Sequence, residues 1–230
     1  MSVSNDEILS VSKVDLWKSQ FKSEKLRQVK AERELAELRT AQAKREERHF
    51  LATDDMQRQH YFIGGVDSAN VNAAAQHLAF WHRVDPTCDM NIEIHSGGGS
   101  ALAGINLFDT LTRYSLRGGG QHKLTITVRG LAASMATVLV QAADERVIGP
   151  ESFFMVHELS GQTAGKIGEM EDTMKFYAKL NTRIGEIYAE RSGGKCTVEQ
   201  FRALWSRQDV WLNAREAFDL GFVDRIEGTS

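Results

Sequence analysis

The stretch Arg129-Gly-Leu-Ala-Ala-Ser-Met-Ala136 lies between a strand-like run, Leu124–Val128, and an apolar helical run that begins at Met135. Small residues surround Ser134, so its hydroxyl is accessible. A helix that begins just after this serine directs backbone N–H groups and the positive end of its dipole toward the hydroxyl. The stretch therefore predicts a strand-to-helix junction that carries a candidate nucleophile.

Other parts of a serine hydrolase follow in the chain. His157 ends an apolar run, Asp209 stands in a polar turn, and the glycine cluster Ser96–Ser100 lies upstream. Together they supply a base, an orienting carboxylate and oxyanion donors. Taken one at a time, each has a simpler interpretation: a serine that packs among alanines, a histidine at a strand end, an ordinary loop aspartate. Asp209 is the least specific of the three.

From residue 60 onward the apolar pattern alternates between strands and helices. Because the two types take turns along the chain, we expect crossover units and a mainly parallel sheet. Asp67 or Ser68 is expected to cap the first of these helices. The predicted strands cover 61–63, 90–94, 124–128, 146–148 and 152–156; the predicted helices cover 68–83, 101–112, 135–143, 167–190, 197–205 and 213–220.

The N-terminal segment differs from the rest of the chain. Residues 11–48 contain no Gly or Pro and are rich in Lys, Arg, Glu, Ala and Gln. Their spacing predicts a long amphipathic helix or an imperfect coiled coil, interrupted by Glu24 and Gln28. We expect an extension over 1–50 that binds a partner or a second copy, or else packs as an arm on its own domain, which covers 51–230. The apolar stripe consists of Val14, Trp17, Phe21, Ala31, Leu35 and Leu38.

Composition narrows the possible function classes. The chain has 230 residues, 42% of them apolar, and a net charge of −3, which favours neither nucleic acid nor a membrane surface as a partner. Cys88 and Cys196 follow no metal-ligand spacing, and two cysteines favour reduced thiols over a disulfide. No membrane span or signal peptide is recognisable, so we expect a cytoplasmic protein that needs no metal and no cofactor.

Residues 60–226 resemble ClpP, the proteolytic subunit of the Clp protease, and its relatives that mature phage heads. The resemblance rests on four segments that occur in the family's order. They are Asn91–Ser100 with Ala103-Gly104, Gly130–Met135, Met155–His157, and Asp209–Ala217 with Gly221–Asp224. It implies an α/β fold of ClpP/crotonase-like repeated β-β-α units with a handle helix, here preceded by the long N-terminal helix.

The resemblance also implies roles for single residues. Ser134 would be the nucleophile, His157 the general base and Asp209 the residue that orients it. Backbone N–H groups of Gly99 and Met135 would form the oxyanion hole. The serine peptidase chemistry of the family follows from these five residues.

Substrate binding would involve two further segments. Gly98 belongs to the glycine loop, and Gly161, Gln162 and Thr163 occupy the place of the family's Gly-rich strand, which would pair with an extended substrate. Gly97 departs from the family, which usually has Pro there, so a more flexible loop is expected. His95 stands where the family usually has Asn; we interpret it as a neighbour of the site without a direct role.

Several functions stay open at this point. Crotonase-type acyl-CoA enzymes, Ser–Lys peptidases and an inactive structural ring subunit are rivals to a serine endopeptidase. Within the peptidase interpretation, the family implies a homo-oligomer of stacked rings that acts on polypeptides, with an unfoldase of the AAA+ class or a capsid or scaffold protein as partner. The long N-terminal helix favours capsid maturation, which would place the protein in the host cytoplasm if it is phage-encoded.

Overall fold

The computed structural model describes residues 5–53 and 57–229, with side chains from residue 16 onward. The chain divides into two compact units, Met1–Thr53 and Asp54–Ser230. None of the helices in these described ranges combines the length and the apolar character of a membrane span.

The first unit is one helix, α1, over Asn5–Leu51. Good helix formers and side-chain pairs four residues apart stabilise it, among them the ion pair between Arg33 and Glu37. Trp17 and Phe21 stack on one face with ring centroids 5.7 Å apart. The predicted helix is thus confirmed and extends further at both ends. Val14, which belongs to the predicted stripe, lies outside the residues whose side chains are described.

The second unit alternates strands and helices as the sequence predicts. Its order is β1 (Gln59–Ile63), α2 (Ser68–Val84), β2 (Met90–Ser96), α3 (Ala101–Tyr114), β3 (Leu124–Ala133), α4 (Met135–Val140), β4 (Glu145–Ile148), β5 (Phe153–Val156), α5 (Ile167–Arg191), α6 (Val198–Trp205), β6 (Val210–Asn213), α7 (Ala214–Asp219) and β7 (Arg225–Ile226). A short 3₁₀ turn, Leu116–Gly118, follows α3. The Asp67 carboxylate caps α2, since it accepts from the backbone N–H groups of Ala69 and Asn70.

The sheet is mainly parallel, and the predicted α/β fold preceded by a long helix is confirmed. Five strands run parallel in the order β1-β2-β3-β4-β7. β5 pairs in parallel with the end of β3, and β6 pairs with β5 in the antiparallel direction. β6 was not among the predicted strands, because the strand with which it pairs, β5, lies more than fifty residues upstream.

β3 is twice as long as predicted, and the added half positions Ser134. Thr125–Val128 pairs with β4, whereas Leu131–Ala133 pairs with β5. Gly130, with φ 74°, interrupts the apolar run between the two halves, which is why the sequence indicated an end at Val128. The strand resumes after this irregularity and delivers Ser134 directly beyond its last residue.

A continuous apolar core lies between the sheet and the helices. Trp81 and Leu78 of α2 are almost completely buried. An aromatic cluster joins α5 to α6 and the C-terminal segment; it consists of Phe154, Tyr188, Phe201, Trp205 and Phe222. The buried residues of α5 are confined to its C-terminal half, at Ile184, Gly185, Ile187 and Tyr188. This cluster fixes the helix that borders the candidate site.

Candidate active site

Ser134 sits on a sharp turn between β3 and α4. Its φ and ψ are 54° and −128°, a conformation that costs a non-glycine residue about 1–3 kcal/mol. The Ser134 N–H donates to the Met155 carbonyl (2.8 Å), which ties the turn to β5. Such a strained elbow presents the side chain away from the strand that precedes it.

His157 reaches Ser134 because β5 lies beside the end of β3. Ala133 pairs with Met155, so His157 emerges just past the same edge as the serine. The distance between His157 Nε2 and Ser134 Oγ is 2.7 Å, a short hydrogen bond. With Nε2 unprotonated, the serine hydroxyl donates, and this is the arrangement in which histidine removes the serine proton.

Asp209 faces the other nitrogen of His157 at longer range. Val156 pairs with Val210 across β5 and β6, so the residues just beyond that pair, His157 and Asp209, come together. Nδ1 and Oδ1 are 3.8 Å apart, which is an ion-pair distance but not a hydrogen bond. The Asp209 side chain is 63% exposed. The carboxylate is therefore near the histidine but loosely held.

The neighbouring carboxylates are engaged elsewhere. Asp219 pairs with Arg215 on α7. Asp224 accepts from the backbone N–H, Nε and Nη2 of Arg146, a buried arginine on β4. Both carboxylates are therefore paired with arginines and not with the histidine.

The glycine loop packs directly against the serine turn. A Cβ at position 98 would lie 2.6 Å from the Ala133 carbonyl oxygen and 2.7 Å from the Ser134 Cβ, so a side chain there has no room. Gly98 and Gly99 have φ values of 88° and 152°, which favour glycine. Met135 is the first residue of α4, and its N–H has no carbonyl partner within the helix. The loop thus brings Gly99 beside the serine turn, where both candidate oxyanion donors border one cavity.

A cavity of about 250 Å³ opens beside Ser134 and His157. Its walls are mostly apolar and come from α3, α4, α5 and α6; they include Leu102, Val138, Phe176, Leu180, Ile184 and Trp205. The sequence patterns did not indicate which of these residues meet, because they are separated by up to a hundred positions. A cavity of this character accommodates an apolar side chain next to the serine.

Of the other predicted residues, Gly161 packs against Tyr177, which lines the cavity. Gly161, Gln162 and Thr163 belong to the segment between β5 and α5, which has no regular secondary structure here. His95 Nδ1 lies 2.8 Å from the Arg129 carbonyl, to which it donates, and its ring packs on Gly130. His95 therefore stabilises the irregular middle of β3.

Two further residues of the site were not predicted from the sequence. Thr137 Oγ1 donates to the Ser134 carbonyl, and the Tyr188 hydroxyl contacts Thr137 Oγ1. Thr137 is a polar residue in an apolar helical stretch, which is a usable signal; Tyr188 gives none. No group of three or more His, Cys, Asp or Glu side chains in the described part of the chain is arranged to hold a metal ion.

The sequence of this chain is similar to a known protein family and to several of its members. A family model described as Clp protease matches residues 44–230. An ATP-dependent Clp protease proteolytic subunit of Bacteroides fragilis is 32% identical over 170 residues, which cover 72% of this chain and 77% of that protein. The subunit of the same name from Streptococcus gordonii is 30% identical over 167 residues, or 71% of this chain and 81% of that protein.

Proposed function

The chain belongs to the Clp protease family, and on that premise we propose that it is a serine endopeptidase with Ser134 as its nucleophile. The observation that carries the proposal is the 2.7 Å contact between Ser134 Oγ and His157 Nε2 at the mouth of an apolar cavity. A serine hydroxyl is a weak nucleophile at neutral pH unless a base is in contact with it.

In the acylation step, Ser134 Oγ attacks the carbonyl carbon of the peptide bond while its proton passes to His157 Nε2. The carbonyl oxygen becomes an oxyanion that accepts hydrogen bonds from the N–H groups of Gly99 and Met135. When the intermediate collapses, the C–N bond breaks, and His157 returns the proton to the leaving amine. Asp209 favours the histidine tautomer with its proton on Nδ1.

Deacylation repeats the sequence with water as the nucleophile. His157 takes a proton from water, the hydroxide attacks the ester, and the proton returns to Ser134 Oγ when the acid product leaves. The cavity supports a preference for an apolar side chain before the cleaved bond. Gly98 and the segment Gly161–Thr163 would contact the extended substrate backbone on either side.

A fluorophosphonate probe, which reacts only with an activated serine, tests the nucleophile. We expect covalent labelling of the wild type and none of Ser134→Ala. Ser160→Ala is the matched control, because Ser160 lines the same cavity and should leave labelling unchanged. A wild type that resists the probe would favour an inactive structural ring subunit instead.

We further propose that the biological role is capsid maturation, in which α1 docks the enzyme on a capsid or scaffold protein. Residues 1–43 lie outside the family match, and α1 is 47 residues long. Trp17, Phe21 and Leu38 are each more than half exposed on this helix, which leaves an apolar stripe for a partner. Homo-oligomeric stacked rings belong to this proposal as well.

The second candidate role is a general proteolytic subunit fed by an AAA+ unfoldase. It is favoured by the relatives, which are named as subunits of ATP-dependent proteases. ATP-dependent degradation of a folded substrate with a co-purifying unfoldase would support this role and overturn capsid maturation. Cleavage of a co-expressed scaffold protein without ATP would support maturation.

Substitutions on α1 separate the roles further. Leu35→Gln with Leu38→Gln removes apolar contacts while keeping good helix formers, so maturation predicts weaker scaffold cleavage but normal cleavage of a small peptide. Lys30→Gln with Lys44→Gln is the matched control outside the stripe and should change neither activity.

A further inference from the structure

A chain of hydroxyl groups runs from the aromatic core to the backbone of the nucleophile. The Tyr188 hydroxyl lies 2.5 Å from Thr137 Oγ1, and Thr137 Oγ1 lies 2.5 Å from the Ser134 carbonyl oxygen. The Thr137 N–H also donates to that carbonyl, at 3.0 Å. One carbonyl oxygen thus accepts two hydrogen bonds from a single residue.

The direction of the protons in this chain follows from the groups themselves. A carbonyl oxygen can only accept, so the Thr137 hydroxyl must donate to Ser134. Its single proton is then used, and the Tyr188 hydroxyl must donate to Thr137 Oγ1. Burial raises the pKa of the Tyr188 phenol above its usual range, so this donor keeps its proton at neutral pH.

The Ser134 carbonyl belongs to the same peptide unit as the Met135 N–H. That unit is planar and trans, so its C=O and N–H point in opposite directions and turn together. We propose that Tyr188 and Thr137 are positioning residues that hold this peptide plane and thereby aim the Met135 N–H at the oxyanion. The inference rests on the proposed serine endopeptidase activity and deepens it.

Two physical effects would make this chain useful to catalysis. Ser134 has an unfavourable backbone conformation, and hydrogen bonds to its carbonyl offset part of that cost. Hydrogen bonds accepted by a C=O also polarise the N–H of the same peptide, which makes it a stronger donor to a developing negative charge. Both effects act on the transition state more than on the bound substrate.

The anchor of the chain is rigid. Tyr188 is 1% exposed, and its ring stacks on Phe201 with centroids 4.3 Å apart. It also meets Phe222 edge-on, at 4.9 Å. The phenol oxygen therefore has a fixed position, and removal of the hydroxyl leaves the ring packing in place.

Isosteric variants test the proposal in the full-length protein. We expect Thr137→Val to lower kcat on a fluorogenic peptide about 10- to 100-fold at nearly constant KM, since about 100- to 1000-fold is lost when an oxyanion donor is removed outright. Tyr188→Phe should lower kcat less, by about 3- to 10-fold. Thr137→Ser keeps the hydroxyl and should retain most of the activity.

The double variant gives the sharpest result. If the two hydroxyls act in series, Tyr188→Phe should have almost no further effect in the Thr137→Val background. Tyr114→Phe is the matched control: the Tyr114 hydroxyl has a hydrogen-bond partner on its own helix, Arg113. It should leave kcat unchanged.

Several outcomes would overturn the inference. They are an unchanged kcat in folded Thr137→Val, additive effects in the double variant, or a loss confined to KM. Thermal unfolding of each variant identifies losses that come from misfolding, and fluorophosphonate labelling rates of the folded fraction then decide. Failure of the proposed function looks different, because the wild type itself would neither cleave nor react with the probe.

Discussion

The two contacts of His157 in the candidate triad differ in distance and in solvent exposure. At the nucleophile end, Ser134 bonds His157 at 2.7 Å, and its backbone contacts β5 and α4. At the other end, Asp209 stands 3.8 Å from the histidine with a side chain that is 63% exposed. The contact between Ser134 and His157 is fixed within the chain, whereas the position of the Asp209 carboxylate is not.

The difference follows from the strands that carry the residues. β3 is the centre of the sheet and pairs with three strands, so the turn after it has little freedom. β6 has four residues and, within the described part of the chain, pairs only with β5; Asp209 precedes its first residue. A residue before the start of a short edge strand has few contacts that fix its side chain.

The largest loss of kcat should come from substitution at the Ser134–His157 contact. We expect His157→Ala to lower kcat about 10⁴-fold or more, because serine loses the base that takes its proton. His95→Ala is the matched control, since His95 donates to the Arg129 carbonyl instead of facing the serine. Equal losses for both histidines would show that activity depends on the sheet and not on the pair.

The next largest effect should come from the glycine loop beside Ser134, where Gly98 and Gly97 differ in the space around them. A methyl group at position 98 would meet the Ala133 carbonyl and the Ser134 Cβ within 2.7 Å, so Gly98→Ala must displace the serine turn. We expect about 100- to 1000-fold lower kcat, the size of a lost oxyanion donor. A Cβ at Gly97 meets nothing within 4 Å, so Gly97→Ala should keep nearly full activity. Equal losses in the two variants would refute the close packing of this loop.

Sequence patterns sufficed for the fold wherever the apolar period was long. The helices α1 and α5, a helix cap at Asp67 or Ser68 and a mainly parallel sheet all follow from periodicity, capping and alternation. The second half of β3 did not, because Gly130 breaks the run and pairing with β5 restores the strand. β6 did not either, since its partner lies more than fifty residues upstream.

For the candidate site, the sequence indicated the reactive residues but not the residues that hold them in position. The candidate triad and the candidate oxyanion residues were predicted from their chemistry and from the resemblance to ClpP. The contact between Thr137 and Tyr188 became recognisable only when α5 packed on α4, because a hydroxyl contact between residues 51 positions apart leaves no local pattern. The looseness of Asp209 is likewise a property of tertiary structure.

Substitution of Asp209 should lower kcat less than substitution of His157. Where the triad aspartate is buried and bonded, its replacement by Asn costs about 10⁴-fold in kcat. For Asp209→Asn we expect about 10- to 100-fold, because the carboxylate is exposed and makes no hydrogen bond to Nδ1. Asp219→Asn is the control, as that residue pairs with Arg215. A loss of about 10⁴-fold would mean that Asp209 closes on the histidine in the working enzyme.

Asp224 is the opposite of Asp209 and should affect stability instead of activity. Partial burial raises its pKa, but the hydrogen bonds and charge of Arg146 outweigh that effect and leave the pKa below its ordinary value of 3.8. Asp224→Asn leaves Arg146, whose side chain is 5% exposed, with Gln141 and Gly221 as remaining partners. We expect a loss of about 1–2 kcal/mol in the free energy of unfolding at pH 7 by urea titration.

The pH dependence of that loss gives a second check. A carboxylate with a lowered pKa in the folded state stabilises the protein above its unfolded-state pKa, and the contribution disappears as the pH falls through the folded-state value. The difference in unfolding free energy between wild type and Asp224→Asn should therefore be constant near pH 7 and shrink below about pH 4. A difference in unfolding free energy that grows on acidification would contradict the ion pair between Asp224 and Arg146. Peptide cleavage by Asp224→Asn at pH 7 should stay close to that of the wild type.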